Sequence, residues 1–284
     1  MEGVKDAVQY TKITAKHDLL DLRLDELWRY RDLILLLTKR SFVVTYKQTI
    51  LGPLWLFLNP LLTSVVYVVL FGNIAKLSTD GVPQLLFYLT GNAVWSFFAA
   101  CVTTNAATFT ENARLFGKVY FPRLVSPVSN VLGAMIRFGI QMLLVLGFLA
   151  YYAVAGLVHP HWLAWLSLPL VLLQLGVLGM GVGIIVSSLT TKYRDLSVLV
   201  SFGVSLWMYA TPVVYPLSTV TGPLRKLLLL NPVTAPVELF RWAVLGVGSV
   251  SAKYLAASWI VTLAAVFCGV VIFNKVERTF MDTV

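Results

Sequence analysis

Between Pro53 and Phe273 the chain contains six stretches that are long, apolar and almost free of charge, and no other feature limits its fold so strongly. A bilayer's hydrocarbon core is about 30 Å thick and takes about 20 apolar residues to cross as a helix. Backbone polar groups find no water there, so a crossing segment must satisfy its own hydrogen bonds. The stretches are Pro53 to Phe71, Gln84 to Ala107, Leu124 to Ala155, Leu163 to Leu189, Leu196 to Pro216, and Leu255 to Phe273. Hydrophobic residues make up 58% of the chain and charged ones only 12%, with mean hydropathy +0.81. A soluble domain is nearer a quarter charged. These features predict an all-α membrane protein with six transmembrane helices. The third stretch exceeds what a crossing needs and should tilt or protrude; Pro60 should kink the first.

Residues 1–50 are polar and charged, and form a cytoplasmic N-terminal segment distinct from the transmembrane domain of residues 51–284. From Asp25 to about Thr49 apolar residues recur at helical spacing among Arg29, Arg31, Asp32, Lys39 and Arg40. That pattern predicts an amphipathic helix at the membrane interface, whole or in two pieces; a soluble cap on the bundle is the plainer alternative. At Gly52-Pro53 the basic run meets the apolar one. Gly suits a helix end and Pro a first helical turn, so the chain should enter the bilayer there. The N-terminus shows no short apolar segment followed by a small-residue cleavage site, so no signal peptide is expected.

The net charge of +9 could suggest nucleic acid, but its placement does not. Lysines and arginines crowd the segment before the first span, the segment between spans 2 and 3, the turn after span 4 and the C-terminal tail. The opposite face holds only Lys76, Arg225, Lys226, Arg241 and Lys253. Such asymmetry puts both termini in the cytoplasm and predicts no nucleic-acid partner.

Several chemistries are disfavoured. Gly117-Lys118 is followed by Val119 and lacks a glycine five residues before Gly117, so these residues hold no phosphate-binding loop. Ion-coupled carriers generally keep acidic groups within their spans; here Asp80, Glu111, Asp195, Glu238 and Glu277 lie outside them. A membrane-embedded transferase would want a carboxylate pair, and the outer face offers only Asp80 and Glu238 in unrelated loops. His159 and His161 have no third ligand nearby. Cys101 and Cys268 sit in apolar runs and read as small hydrophobes. Arg137, alone among charges inside a span, can bind an anion, snorkel or pair. Gly176, Gly179, Gly181 and Gly183 read as helix-packing positions.

Three regions remain as candidates. Glu111 to Arg123 sets Glu111, Arg114 and Lys118 beside Leu115, Phe116, Tyr120 and Phe121, ahead of Pro122; a short amphipathic element of this kind can dock in a partner's groove, or be an ordinary basic loop. Leu217 to Tyr254 is too long for a turn and too broken by Pro and charge to span, which suits short helices re-entering the outer leaflet. Within it Glu238 and Arg241 stand three apart and can pair. Aromatic residues inside spans (Trp55, Tyr67, Phe71, Trp95, Phe98, Trp207 and Tyr209) include rings that could line a conduit and stack on sugars, although most such residues serve packing or interfaces.

Tyr46-Lys47-Gln48-Thr49-Ile50-Leu51-Gly52-Pro53-Leu54-Trp55, with Asn59-Pro60 after it, resembles the entry signature of ABC-2-type permeases, above all the branch exporting O-antigen, capsule and teichoic acid. Lys118 to Arg123 is similar to that family's coupling-helix segment, Tyr193-Arg194-Asp195 to its second inner turn, and Asn231-Pro232 through Glu238 and Arg241 to its outer re-entrant helices. The resemblance implies a homodimer served by two copies of a separate ATPase, which binds ATP and magnesium; this chain would need no cofactor or metal. It implies an ATPase contact at Glu111, Arg114, Lys118, Tyr120, Phe121, Arg123, Arg194 and Asp195, an outer gate at Glu238 and Arg241, and spans 1 and 5 flanking the channel. Cargo would be a polyprenyl-pyrophosphate-linked glycan crossing the inner membrane. A drug or lipid exporter of the same family, and more distantly an ion-coupled carrier, are the alternatives.

Overall fold

The computed structural model describes residues 24–47, 50–116, 121–190, 196–249 and 251–283. Among them every regular element is helical: α1 (Leu24–Arg29), α2 (Arg31–Tyr46), α3 (Trp55–Tyr67), α4 (Gln84–Ala106), α5 (Thr108–Phe116), α6 (Val125–Val154), α7 (Leu168–Thr190), α8 (Leu196–Tyr209), α9 (Gly222–Leu230), α10 (Thr234–Leu245) and α11 (Ala252–Thr283). Among the described residues, five continuous helical stretches are long and apolar enough to cross a membrane: Gly52–Ile74, Gln84–Ala106, Val125–Val154, Trp162–Thr190 and Ala252–Lys275. Helices α9 and α10, bent by 94°, make a sixth only if taken together as one broken span.

Two helices form the middle of the bundle. In α4, 78% of the apolar window is buried and in the Trp162–Thr190 stretch 56%, against 17% to 22% for the other three. Glycines let these backbones approach. A Cβ on Gly179 would lie 2.6 Å from that of Cys101, and one on Gly183 2.5 Å from that of Asn105. On the opposite side of α7, a Cβ on Gly181 would come 2.9 Å from the Val266 nitrogen of α11. No real side chain fits at such distances, so α7 is clasped between α4 and α11 at Gly-only spacing. Around this centre pack Phe87, Phe97, Phe138, Leu175, Val237 and Phe240.

The structure refines the sequence reading in four places. The first span runs through Pro60 as helix, Ser64 Oγ donating to the Pro60 carbonyl at 2.7 Å, and a π-helical turn follows over Val68–Ile74. There Gly72 admits Gln84, whose Cδ would stand 2.7 Å from any Cβ. The fifth apolar stretch ends as a helix at Tyr209 and not at Pro216. Thr211 precedes Pro212, which disfavours helical backbone at that residue, and Asn231 takes over the Ala210 carbonyl at 2.9 Å. The tail after Phe273 continues as helix to Thr283, since no Gly or Pro interrupts those residues. Finally, the N-terminal segment breaks at Tyr30, and α2 packs on α6: Ile34 and Thr38 are buried, with Thr38 Oγ donating to the carbonyls of Ile34 at 2.8 Å and Ser129 at 3.3 Å. Gly52 takes φ +50° as the first residue of a 3-10 turn, Gly52–Leu54, with Pro53 next in it, so the chain bends where basic sequence gives way to apolar.

Candidate functional site

At one end of the bundle the amphipathic element is α5, a helix that follows α4 after a single residue, Ala107. Phe109 roots it: the ring is fully buried, stacks on Phe273 of α11 at 4.5 Å between centroids, and its N–H donates to Ser187 Oγ of α7 at 3.2 Å. Thr190 Oγ, at the end of α7, donates to the Ala106 carbonyl at 3.2 Å. Asn130 Nδ2 of α6 reaches the Thr104 carbonyl at 3.2 Å and Thr108 Oγ at 3.4 Å. Ile34, Phe121, Val125, Ile184 and Val270 complete a second, smaller core here. One short helix is thus fastened to four long ones.

Of the residues the sequence put in the coupling set, Glu111 is exposed on α5 at the rim of a cavity of about 490 Å3 bounded also by Arg40, Ser41, Asn112, Ser129 and Asn130. Partial desolvation there pushes the Glu111 carboxyl above its ordinary value. Phe121 is buried in the small core and Arg123 is half-buried. Arg114 is on α5, but its side chain, with Lys118, Tyr120, Arg194 and Asp195, lies outside the described residues. Sequence reasoning missed Phe109 and Phe273, which anchor α5. Phe109 is the apolar residue of the Thr-Phe-Thr-Glu-Asn run, a signal legible once that run is read as helix.

At the other end Glu238 and Arg241 form a buried pair, 2.8 Å apart, with side chains 2% exposed. Arg241 Nη2 also donates to the carbonyls of Pro212 at 2.7 Å and Val213 at 3.1 Å, and the guanidinium lies 4.3 Å over the Phe87 ring. Glu238 Oε2 accepts from the Ser249 N–H at 3.0 Å. The pair therefore ties α10 to the broken end of α8, to α4 and to the linker before α11. Arg241 is fully buried, and α10 could not hold it without these acceptors.

A second polar knot fixes the bend between α9 and α10. Asn231 Oδ1 accepts from Trp207 Nε1 at 3.0 Å and the Val233 N–H at 3.1 Å; its Nδ2 donates to the Ala210 carbonyl and Thr211 Oγ, each at 2.9 Å. Pro232 O accepts from Ser258 Oγ of α11 at 2.5 Å, and Gln174 Nε2 of α7 donates to that same hydroxyl at 2.6 Å. Neither Gln174 nor Ser258 stood out in the sequence.

The aromatic set divides. Trp95 and Phe98 are packed inside the bundle, 5% and 0% exposed, with Phe98 edge-on to Trp207 at 5.2 Å, so neither offers a face to a passing molecule in this conformation. Tyr67 and Phe71 are half-buried against Tyr88 at 6.2 and 6.4 Å, and Trp207 is half-buried. Trp55 and Tyr209 are open, 37% and 51% exposed. They sit on α3 and α8 beside bare apolar side chains such as Leu62, Val66, Phe202 and Leu206.

Long apolar helices, glycine-mediated packing and polar knots confined to the ends define a multi-pass helical membrane protein. Its sequence goes further: the chain belongs to the ABC-2 type transporter family, whose profile matches residues 32–245. It is 29% identical over 252 residues to the O-antigen export system permease protein RfbA of Klebsiella pneumoniae, covering 88% of this chain and 94% of that one. Over 214 residues it is 32% identical to the protein of the same name in Myxococcus xanthus, covering 74% and 79%. Similarity extends to the polysialic acid transport protein KpsM of Escherichia coli, 25% identical over 244 residues, 82% of this chain and 89% of that one.

Proposed function

We propose that this chain is the transmembrane subunit of an ABC exporter carrying an O-antigen-like polysaccharide on a polyprenyl-pyrophosphate lipid across the cytoplasmic membrane. Two copies would form the conduit and two copies of an ATPase would drive it. The observation that carries the reading is the rooting of α5. An inner-face helix fixed to α4, α6, α7 and α11 can pass a partner's movement to the spans, and the family relationship says which kind of partner to expect. Glu111, Arg114, Lys118, Tyr120, Phe121, Arg123, Arg194 and Asp195 make up the proposed ATPase face, with residues 1–50 a cytoplasmic, membrane-apposed extension of the domain formed by residues 51–284. The basic residues cluster at that end, which favours cytoplasmic termini.

In this reading the lipid stays in the bilayer while the glycan threads between copies along α3 and α8. Trp55 and Tyr209 present the open rings, with Tyr67, Phe71 and Trp207 behind them, and sugars would stack on such rings without any one sequence being selected. Glu238 and Arg241 set the outer gate, and α9 with α10 would re-enter the outer leaflet. Deleting the partner ATPase is expected to abolish surface glycan while the permease still reaches the membrane; export that continues without it overturns the proposal. Sugar-dependent stimulation of ATP hydrolysis in the reconstituted complex separates a glycan exporter from a drug or lipid exporter of the same family.

A further inference from the structure

At the α9–α10 end, a small cavity of about 100 Å3 opens at the N-terminus of α10, bounded by Arg225, Thr234, Glu238, Ser249, Ser251 and Tyr254. Two buried polar atoms at its wall have no hydrogen-bond partner: Thr234 Oγ1, on a residue 0% exposed, and Arg225 Nε. Leaving such groups unmet is costly, and native interiors rarely tolerate it. Thr234 is the first residue of a 12-residue helix, the end where partial positive charge gathers; its own N–H donates to the Asn231 carbonyl at 3.1 Å, so the side chains carry the binding. Arg225 adds a full positive charge. The one carboxylate at the wall is already neutralised, Glu238 Oε1 held by Arg241 and Oε2 by the Ser249 N–H. A cavity with these donors, and with the one carboxylate among its described wall residues already paired, suits an oxyanion.

We infer that this cavity binds the phosphate of an amphiphile, the guanidinium of Arg225 and the hydroxyl of Thr234 donating to its oxygens over the N-terminus of α10. The choice of a lipid phosphate rests on α9, which carries Arg225 between the bare side chains of Leu224, Leu227 and Leu230, 55%, 65% and 72% exposed. Acyl chains can lie along that face while the headgroup turns inward. The assignment rests on neither the cargo nor the ATPase.

The test uses the full chain purified in detergent, with tryptophan quenching by bromine-labelled lipid and melting temperature as readouts. Phosphatidylglycerol should bind saturably and raise the melting temperature; diacylglycerol, the same tails without phosphate, should do neither. Arg225→Gln and Thr234→Val should each weaken binding about tenfold, the loss expected for a charged or buried hydrogen bond, and Thr234→Ser should restore it. Inorganic phosphate that competes fully at millimolar concentration would assign the site to free phosphate and overturn the lipid assignment. Equal binding of diacylglycerol, or wild-type binding by both variants, would leave the cavity to water and overturn the site altogether. Because the assay involves neither transport nor glycan, failure here leaves the exporter reading standing.

Discussion

A buried arginine is tolerable only while every acceptor around it stays in place, and Arg241 has three: the Glu238 carboxylate and the carbonyls of Pro212 and Val213. Removing one member of a desolvated pair strands the other, at a cost of roughly 3–5 kcal/mol. Arg241→Ala and Glu238→Ala should each lower the detergent melting temperature sharply, whereas Glu238→Leu with Arg241→Met should cost much less than the two single losses combined. Additive losses would mean that the two side chains do not act as a unit. Asn231 makes the companion case. Its amide serves Trp207, Ala210, Thr211 and Val233 together, so Asn231→Ala should destabilise by about 1–3 kcal/mol and expose the Trp207 indole, read as a shifted tryptophan emission. An unchanged spectrum would show that Trp207 is held by packing alone.

At the scale of elements, Gly179 and Gly183 decide how near α7 lies to α4. Gly179→Val drives methyl groups into Cys101 and the Phe98 carbonyl, 2.6 and 3.2 Å from where its Cβ would stand. We expect this to cost at least about 1–3 kcal/mol of overpacking, while Gly139→Val, where nothing lies within 4 Å of the added Cβ, should melt like the parent protein. Helices of this kind were legible because length, apolarity and the absence of charge act locally; the first four apolar stretches and the last each coincide, to within a few residues at the ends, with an observed crossing-length helix. The fifth misled because composition says nothing of where a chain turns. Tyr209 to Pro216 is apolar enough to continue, but Arg241, some thirty residues later, claims its carbonyls. In the same way the spacing of Glu238 and Arg241 was visible in the sequence and their depth was not. Gln174 and Ser258, far apart along the chain, meet directly only in the fold, where Ser258 also donates to the Pro232 carbonyl.

For the molecule as a whole, the buried helices are central and the sparsely buried ones peripheral, and α8 leaves Val198, Leu199, Phe202 and Leu206 bare. A second copy is the proposed cover for part of that surface. In the assembled exporter, Phe109→Ala should leave ATP hydrolysis near the parent rate while glycan export falls, because the motor would still turn over against an α5 no longer seated on α7 and α11. A parallel fall in both activities would instead point to failed assembly.

The seating of α5 has a mechanical consequence. With only Ala107 between it and α4, and with Phe109 wedged against Phe273 and Ser187, the short helix has no slack through which a push could dissipate. In the proposed exporter it would work as the arm of a crank whose shaft is the glycine-clasped trio α4, α7 and α11, so that a push at its free end would be handed to those spans together.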